Sequence, residues 1–544
     1  QTDTQDEKGN IVQNRTVYQG LVTTQINPLK REKRDTRNPL GQLIETRDAK
    51  QGLTLFARDA WGNLTQTTDP TGNLIGIDYD RLGRKTELRD PDLGRIEYKT
   101  DPLGQVWQQI SPKQRLAAAS MADGDKWKAY TNYRFDLLGR QITRLEPDLV
   151  SHWRYDSAAM GIGQLHQSYT CQGGTDISAN CPREYVRTHS YDSLGRPAAV
   201  TTQLFNGSNG SFISTPSYDN WGRLAQEQHQ HSNTSTTFEH RYNAYGYLKQ
   251  IGRNNSTVLW KAQQQDAANR VIQAQLGNGL QLNRRYNDYT GRLDTSSLQA
   301  GAITRLQESY NYDLLGNVSQ RSQYWDGSEG FSEVFDYDEL NRLKLSQVAG
   351  QAQQVFTYDS IGNLTSKTGV GTGSYNYPVP GPNAIRPHAV RSIGSYGTFY
   401  YDDNGNLESI AKANGQNNQL LKWTSFDMPA SLSKGSNKST FVYGPDHQRT
   451  KQVKDGADTG TTWYAGAMEL ETANGDTLQY KRLKTYWPMG LGVEVNTFGN
   501  PAEQSWTHSD RLGSLVAITG ADGSLKDKLA YDAWGKRRNL NGSG

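Results

Sequence analysis

The chain has 544 residues, of which 34% are hydrophobic and 10% aromatic, 30 of them tyrosines. A net charge of only +3, from 59 basic and 56 acidic side chains, argues against a dedicated nucleic-acid binder, which would carry a basic stripe. The aromatic content and near-neutral charge likewise exclude a disordered chain, since such chains are aromatic-poor and strongly charged.

A chain this long exceeds one compact core, so several domains or a repeat architecture are expected. Glycine reaches 54 against 18 prolines, which fits many tight turns. Residues 1–40 read as an N-terminal extension or as degenerate first repeats, 41–440 as a repeat region, and 441–544 as a distinct C-terminal region. The opening Gln1-Thr2-Asp3-Thr4 has no initiator Met and no signal peptide, so a piece of a longer protein is expected. No run approaches the roughly 18 apolar residues of a membrane span. The basic runs Lys30-Arg31-Glu32-Lys33-Arg34 and Lys536-Arg537-Arg538 read as solvated surface.

From about residue 38 onward one phrase recurs: an aromatic, Asp, two variable residues, Gly, then Arg or Asn and often Leu. Clear copies place the turn pair at Asp80 and Gly83, Asp136 and Gly139, Asp192 and Gly195, and Asp219 and Gly222. Others follow at Asp313 and Gly316, Asp359 and Gly362, and Asp532 and Gly535. Asn269 and Asn341 replace the glycine in degenerate copies, as expected of the residue that best tolerates positive φ after glycine. Asp-x-x-Gly predicts a type I turn whose carboxylate accepts a bond from the backbone two residues on. A left-handed fourth residue then makes the bulge of a three-residue hairpin loop. In that register Asp219 faces Arg223 and Tyr218 faces Leu224. The unit is a β-hairpin of twenty-odd residues whose strands are half polar, as in Gln141-Ile142-Thr143-Arg144-Leu145. Hairpins stacked side by side give one long sheet, and wrapping it encloses a polar cavity rather than a dense core.

Several residues invite a chemical reading. Asp69-Pro70-Thr71-Gly72 and Asp101-Pro102-Leu103-Gly104 contain paired-carboxylate candidates but stand in phase with the repeat, so turns are expected. Cys171 and Cys181 bracket a polar, Gly-rich segment; a disulfide is expected, the alternative being two unpaired thiols. A zinc site needs more ligands than this segment offers. His229, His231 and His240 lack a complete ligand set and read as solvent-facing strand. Trp61, Trp221 and Trp534 sit inside turns, where packing between adjacent turns is preferred over sugar-binding platforms. No catalytic residue, cofactor-binding residue or metal ligand is assigned, and the chain is not expected to be an enzyme.

The Tyr-Asp-x-x-Gly-Arg-Leu phrase is similar to the YD repeat of bacterial Rhs proteins, Tc-toxin C components and animal teneurins. His508-Ser509-Asp510-Arg511-Leu512-Gly513-Ser514, Asp522-Gly523-Ser524 and Tyr531-Asp532-Ala533-Trp534-Gly535 resemble the Rhs-associated core, and Phe441-Val442-Tyr443-Gly444-Pro445-Asp446-His447-Gln448-Arg449 resembles another Rhs phrase. The resemblance covers about residues 38–540. It implies an all-β fold, a hairpin ribbon spiralling into a hollow shell. It implies a container for a C-terminal toxin, in a protein that is secreted or on the bacterial surface, with a secretion-system or Tc-type partner. The family continues into a self-cleavage region and toxin, neither of which stands before Gly544. A rival expectation is an adhesive or glycan-binding protein using the turn tryptophans; a self-cleaving protease is the weakest.

Overall fold

The computed structural model describes residues 2–171, 181–204, 210–327, 329–370, 373–412, 415, 418–473 and 480–544. It is built almost wholly of antiparallel strands, each paired with its neighbours in sequence. One sheet of 31 strands runs from Thr2 to Lys367, and a second of 15 strands begins at Tyr375–Asn376. The first ladder ends at Lys367 and the second opens at Tyr375. An insertion at 111–130 departs from the all-β pattern. Its helix Pro112–Ala119 starts at a capping box, with Ser111 Oγ accepting from the Gln114 amide and Gln114 Oε1 accepting from the Ser111 amide, and Pro112 opens it.

A meander of this length must coil, because each strand is rotated relative to the last. Cross-chain hydrogen bonds measure the coil. The Glu7 carboxylate accepts from the Tyr312 amide 305 residues on, and Arg31 donates to the Asp338 carbonyl 307 residues on. The Asn73 side chain accepts from the Gly381 amide at a separation of 308. Later contacts join Tyr185 to Gln448 (263 residues), Leu259 to Trp506 (247) and Glu333 to Arg538 (205). Partner numbers rise together along most of this series, so the second pass runs in the same direction as the first, and the loop tightens. The ribbon is therefore a spiral of nearly two turns. A first pass of roughly 24 strands at about 4.8 Å gives a perimeter of about 115 Å, hence a diameter of about 37 Å.

In a meander alternate turns lie on opposite edges. Turns at 38–41, 59–62, 80–83 and 101–104 share one edge; those at 27–30, 48–51 and 69–72 share the other. The second pass first seats its repeat-turn edge on the opposite edge of the first. Lys113 meets Asp402, Asp92 meets His388, and Asp148 meets Ser425 along this seam. From about residue 463 the second pass slides onto one face of the first. Trp463, Met468, Leu470 and Leu483 cover Tyr185, Leu204 and Phe212. A shortening loop laid against the face of a longer one lies inside it, so this face is the enclosed one. The accessible surface, 28389 Å², compares with roughly 20,000 Å² for a compact monomer of this mass, as an open shell requires.

Candidate functional site: the wall repeat, its free rim and the closed end

The wall is set by one turn used repeatedly. Asp219 Oδ1 accepts from the Trp221 and Arg223 amides at 2.9 and 3.0 Å, and the Gly222 amide donates to the Asp219 carbonyl at 2.9 Å. Asp219 Oδ2 takes the Arg223 guanidinium at 2.7 Å, and Tyr218 pairs with Leu224 across a register shift. The seven glycines at 83, 139, 195, 222, 316, 362 and 535 have φ between 73° and 98°, a region that costs a side chain energy. Asn269 and Asn341 stand there at 59° and 62°. Asp69 and Asp101 form the same turn, their carbonyls accepting from Gly72 and Gly104. The Arg84 amide and guanidinium hold the Asp80 carboxyl below its usual range, and the Arg196 guanidinium does so for Asp192.

A second interaction joins successive repeats. The Tyr312 hydroxyl donates to the Leu293 carbonyl at 2.9 Å, Tyr337 to Val318 at 2.9 Å, and Tyr358 to Leu343 at 2.8 Å. Tyr79, Tyr191, Tyr218, Tyr242 and Tyr443 make the same bond to the strand before them. The preceding repeat's Arg lies over the ring, as Arg223 does over Tyr242 at 4.3 Å and Arg342 over Tyr358 at 4.6 Å. Arg223 and Arg342 thus each pair their own Asp and cover the next Tyr, while the hydroxyl bond is what favours Tyr over the Phe found at Phe135.

The two edges of the ribbon differ. On the first pass the third turn residue is bare: Leu40, Trp61, Leu82, Leu103, Leu138, Leu194, Trp221 and Tyr245 are 74–86% exposed. On the second pass the equivalent Leu315, Leu340 and Ile361 are half-buried, each lining a groove against the first pass. The preference for packing between adjacent turns is therefore wrong for Trp61 and Trp221. The third residue of this turn is bare on the first pass, and among the described residues only Arg223 is seen over one of these rings, at 5.0 Å from Trp221. Trp534, half-exposed, does pack, against Phe356 at 5.4 Å.

The closed end, the region where the second pass lies on a face of the first, corrects three further expectations. His229 and His231 are buried on the enclosed face, not solvent-facing: His231 stacks on Phe212 at 4.3 Å, and His229 lies 3.3 Å from Glu227. His240, on the next strand, is half-buried. Arg538 is not solvated surface. It lies buried on Phe331 and pairs with Glu333, which also takes Arg321 at 2.7 Å. The first basic run is largely exposed, although Arg31 bonds across the seam. Finally, a dense apolar core exists here. Phe238, Ile251, Leu259, Leu298, Trp325 and Phe331 meet Trp487, Trp506, Val516 and Ala517. Trp325 and Trp506 donate their indole N–H to the Val516 and Leu259 carbonyls. Beside it burial pushes the Glu308 carboxyl up to about 8, with the Tyr310 hydroxyl donating to it at 3.0 Å. Burial also holds the His508 imidazole down to about 4.

Cys171 and Cys181 are joined as a disulfide with Cα atoms 5.6 Å apart; residues 172–180 between them lie outside the described residues. The structure brings His152 to this pair, which no spacing in the sequence signals.

Residues 37–74, which contain four of these turns, match the RHS repeat family model. No curated protein sequence matches the chain. Among solved structures, the TcdB2-TccC3 complex without its hypervariable C-terminal region superposes with a TM-score of 0.73 at 14% identity, over 100% of this chain and 30% of that one. A Photorhabdus luminescens Tc holotoxin pore carrying a TccC3 mutation gives 0.75 at 15% identity, over 98% of this chain and 30% of that one. This chain therefore has the fold of the matched part of those proteins and spans about 30% of their length.

Proposed function

We propose that the chain is the closed end of a hollow, toxin-associated shell that encloses a polypeptide cargo, and that its residues build wall rather than catalyse. The carrying observation is the position of the C-terminus. Gly542 lies against Val348 and Phe331, on the enclosed face. A chain continuing past Gly544 starts inside the spiral. The free rim of bare turn residues supports a shell continued by further ribbon of the same kind, in keeping with a Tc-type partner. The setting is extracellular or bacterial cell-surface, which the disulfide favours; among the described residues no helix is long and apolar enough to cross a membrane.

The test is to fuse one unstructured, protease-sensitive polypeptide either after Gly544 or before Gln1. Enclosure predicts that trypsin removes the N-terminal tail at a rate at least tenfold above that of the C-terminal one. Equal rates contradict it. A second reading, glycan binding by the rim, rests on Trp61 and Trp221 at 84% and 80% exposure. A glycan array in which Trp61→Ala and Trp221→Ala change nothing removes it.

A further inference from the structure

Leu145, Val150, Tyr169, Cys171 and Cys181 form a small buried cluster of their own, with Trp127 of the 111–130 insertion packed on it. His152 enters this cluster from the strand Val150–Tyr155, 4% exposed. One of its ring nitrogens and the two sulfurs all lie within 4.8 Å of one another. The imidazole is held on two sides: Nδ1 is 3.2 Å from Thr143 Oγ1, and the ring stacks on Tyr169 at 5.0 Å. With Nδ1 on Thr143, a coordinate bond would come from Nε2.

The cysteines are positioned by the sheet as well as by their covalent bond. Cys171 ends the strand Leu165–Cys171 and pairs with Arg183, two residues beyond Cys181. The ladder fixes Cys171 and the start of the next strand at Arg183, so Cys181 stays within two residues of a paired position when the bond is opened. Reduction would then leave two thiols and an imidazole in a nearly dry site. Tetrahedral Zn²⁺ with Zn–S of about 2.3 Å and Zn–N of about 2.0 Å needs ligand atoms roughly 3.5–3.8 Å apart. After reduction, side-chain rotation would have to carry the sulfurs apart to that spacing.

We infer that the disulfide is one state of a redox-gated metal site, and that reduction converts Cys171, Cys181 and His152 into a Cys₂His site for Zn²⁺. A dithiol or phosphine supplies two electrons and is itself oxidised to the disulfide or phosphine oxide. The S–S bond breaks and each sulfur takes a proton. Zn²⁺ then displaces both protons, forming two Zn–S bonds and one Zn–N bond, with water in the fourth position. The metal neutralises the two thiolates, which buried alone would be costly. Thr143 is a positioning residue, fixing the tautomer and plane of the ligand ring.

The experiment uses the full chain, reduced with a phosphine that is then removed without oxygen, and Co²⁺ as probe. The expected result is one Co²⁺ per chain with thiolate-to-metal charge-transfer absorption, displaced by Zn²⁺. At a pH below the thiol pKa, binding should release about two protons. The oxidised chain should take up none. His152→Gln should weaken Co²⁺ binding by about tenfold or more, and Thr143→Ala by about 10–100-fold, with circular dichroism of both oxidised variants unchanged. Binding by the oxidised chain, no uptake by the reduced chain, or unchanged affinity in both variants would each overturn the inference.

Discussion

The first hundred residues and the closed end are made from the same repeat and hold together differently. Between residues 3 and 107 one side chain, Asn73, is buried among the described residues, and both faces of the strands are half-exposed. Around Trp325 and Phe331, by contrast, the returning ribbon supplies Trp487, Trp506, Val516 and Ala517, and inward-facing residues are almost fully dry. The opening stretch therefore depends on its Asp and Asn turns, on cross-strand pairs and on polar seam bonds from Glu7, Arg31 and Asn73 to the second pass. The closed end adds a hydrophobic core and buried ion pairs. One repeat can build a wall; a second pass is needed to build an interior.

This contrast can be broken most forcefully at the closed end. Trp325→Ala should cost about 3–5 kcal/mol. Glu333→Ala, which leaves Arg538 and Arg321 unpaired in a buried site, should cost about as much. In native-state hydrogen exchange, protection should fall across 238–348 and 487–540 while 2–105 stays unchanged. Loss of protection throughout would mean that the two regions unfold as one.

A pH series should sharpen the comparison. Glu308 binds its proton up to about pH 8 in the folded chain but releases it near 4.5 when unfolded, so the folded state holds more protons between those values. Stability of the closed end therefore falls as pH rises through that window. His508, neutral down to about pH 4 in the fold, contributes the opposite slope below 6.5. The decline should be plain only from pH 6.5 to 8, and Glu308→Gln should abolish it in urea unfolding. At the acid end the sign reverses for the turns. Asp156, drawn down to about 2 by the Arg140 guanidinium, and Asp59, Asp69 and Asp80, held low by hydrogen bonds in their turns, lose their contribution as pH falls below about 4. The opening stretch, with little else, should loosen first by hydrogen exchange.

Smaller effects complete the series. Tyr312→Phe removes one hydroxyl bond to the Leu293 carbonyl and should cost about 0.5–1.5 kcal/mol in urea unfolding. Leu82→Ala, on the bare rim, should change stability by no more than about 0.5 kcal/mol. A larger loss there would show that something covers the rim.

The turns were legible in the sequence because everything they need lies within five residues: Asp219, Gly222 and Arg223 specify a hydrogen-bonded loop that no distant contact revises. The hairpin meander and its shell-like resemblance followed from that. The Tyr hydroxyl bond was not legible, since its acceptor is a backbone carbonyl one repeat earlier, which carries no side-chain signal. The burial of His229, His231 and Arg538 was missed for a different reason. Their strands look polar and local, and only the tightening of the second pass decides which face it covers. Trp61 and Trp221 were misread because apolar residues in a repeat suggest mutual packing, whereas successive turns on this edge meet through polar side chains, such as Arg84 on the Asp101 carbonyl, and leave the third residue bare.

The central claim is that nearly two turns of ribbon enclose space. Small-angle X-ray scattering of the purified chain, analysed as a pair-distance distribution, tests it most directly. The account predicts a hollow-shell profile, with short distances depleted relative to a solid body of the same mass and a wall diameter near 37 Å in the first pass. A rod-like or dense globular profile would contradict it.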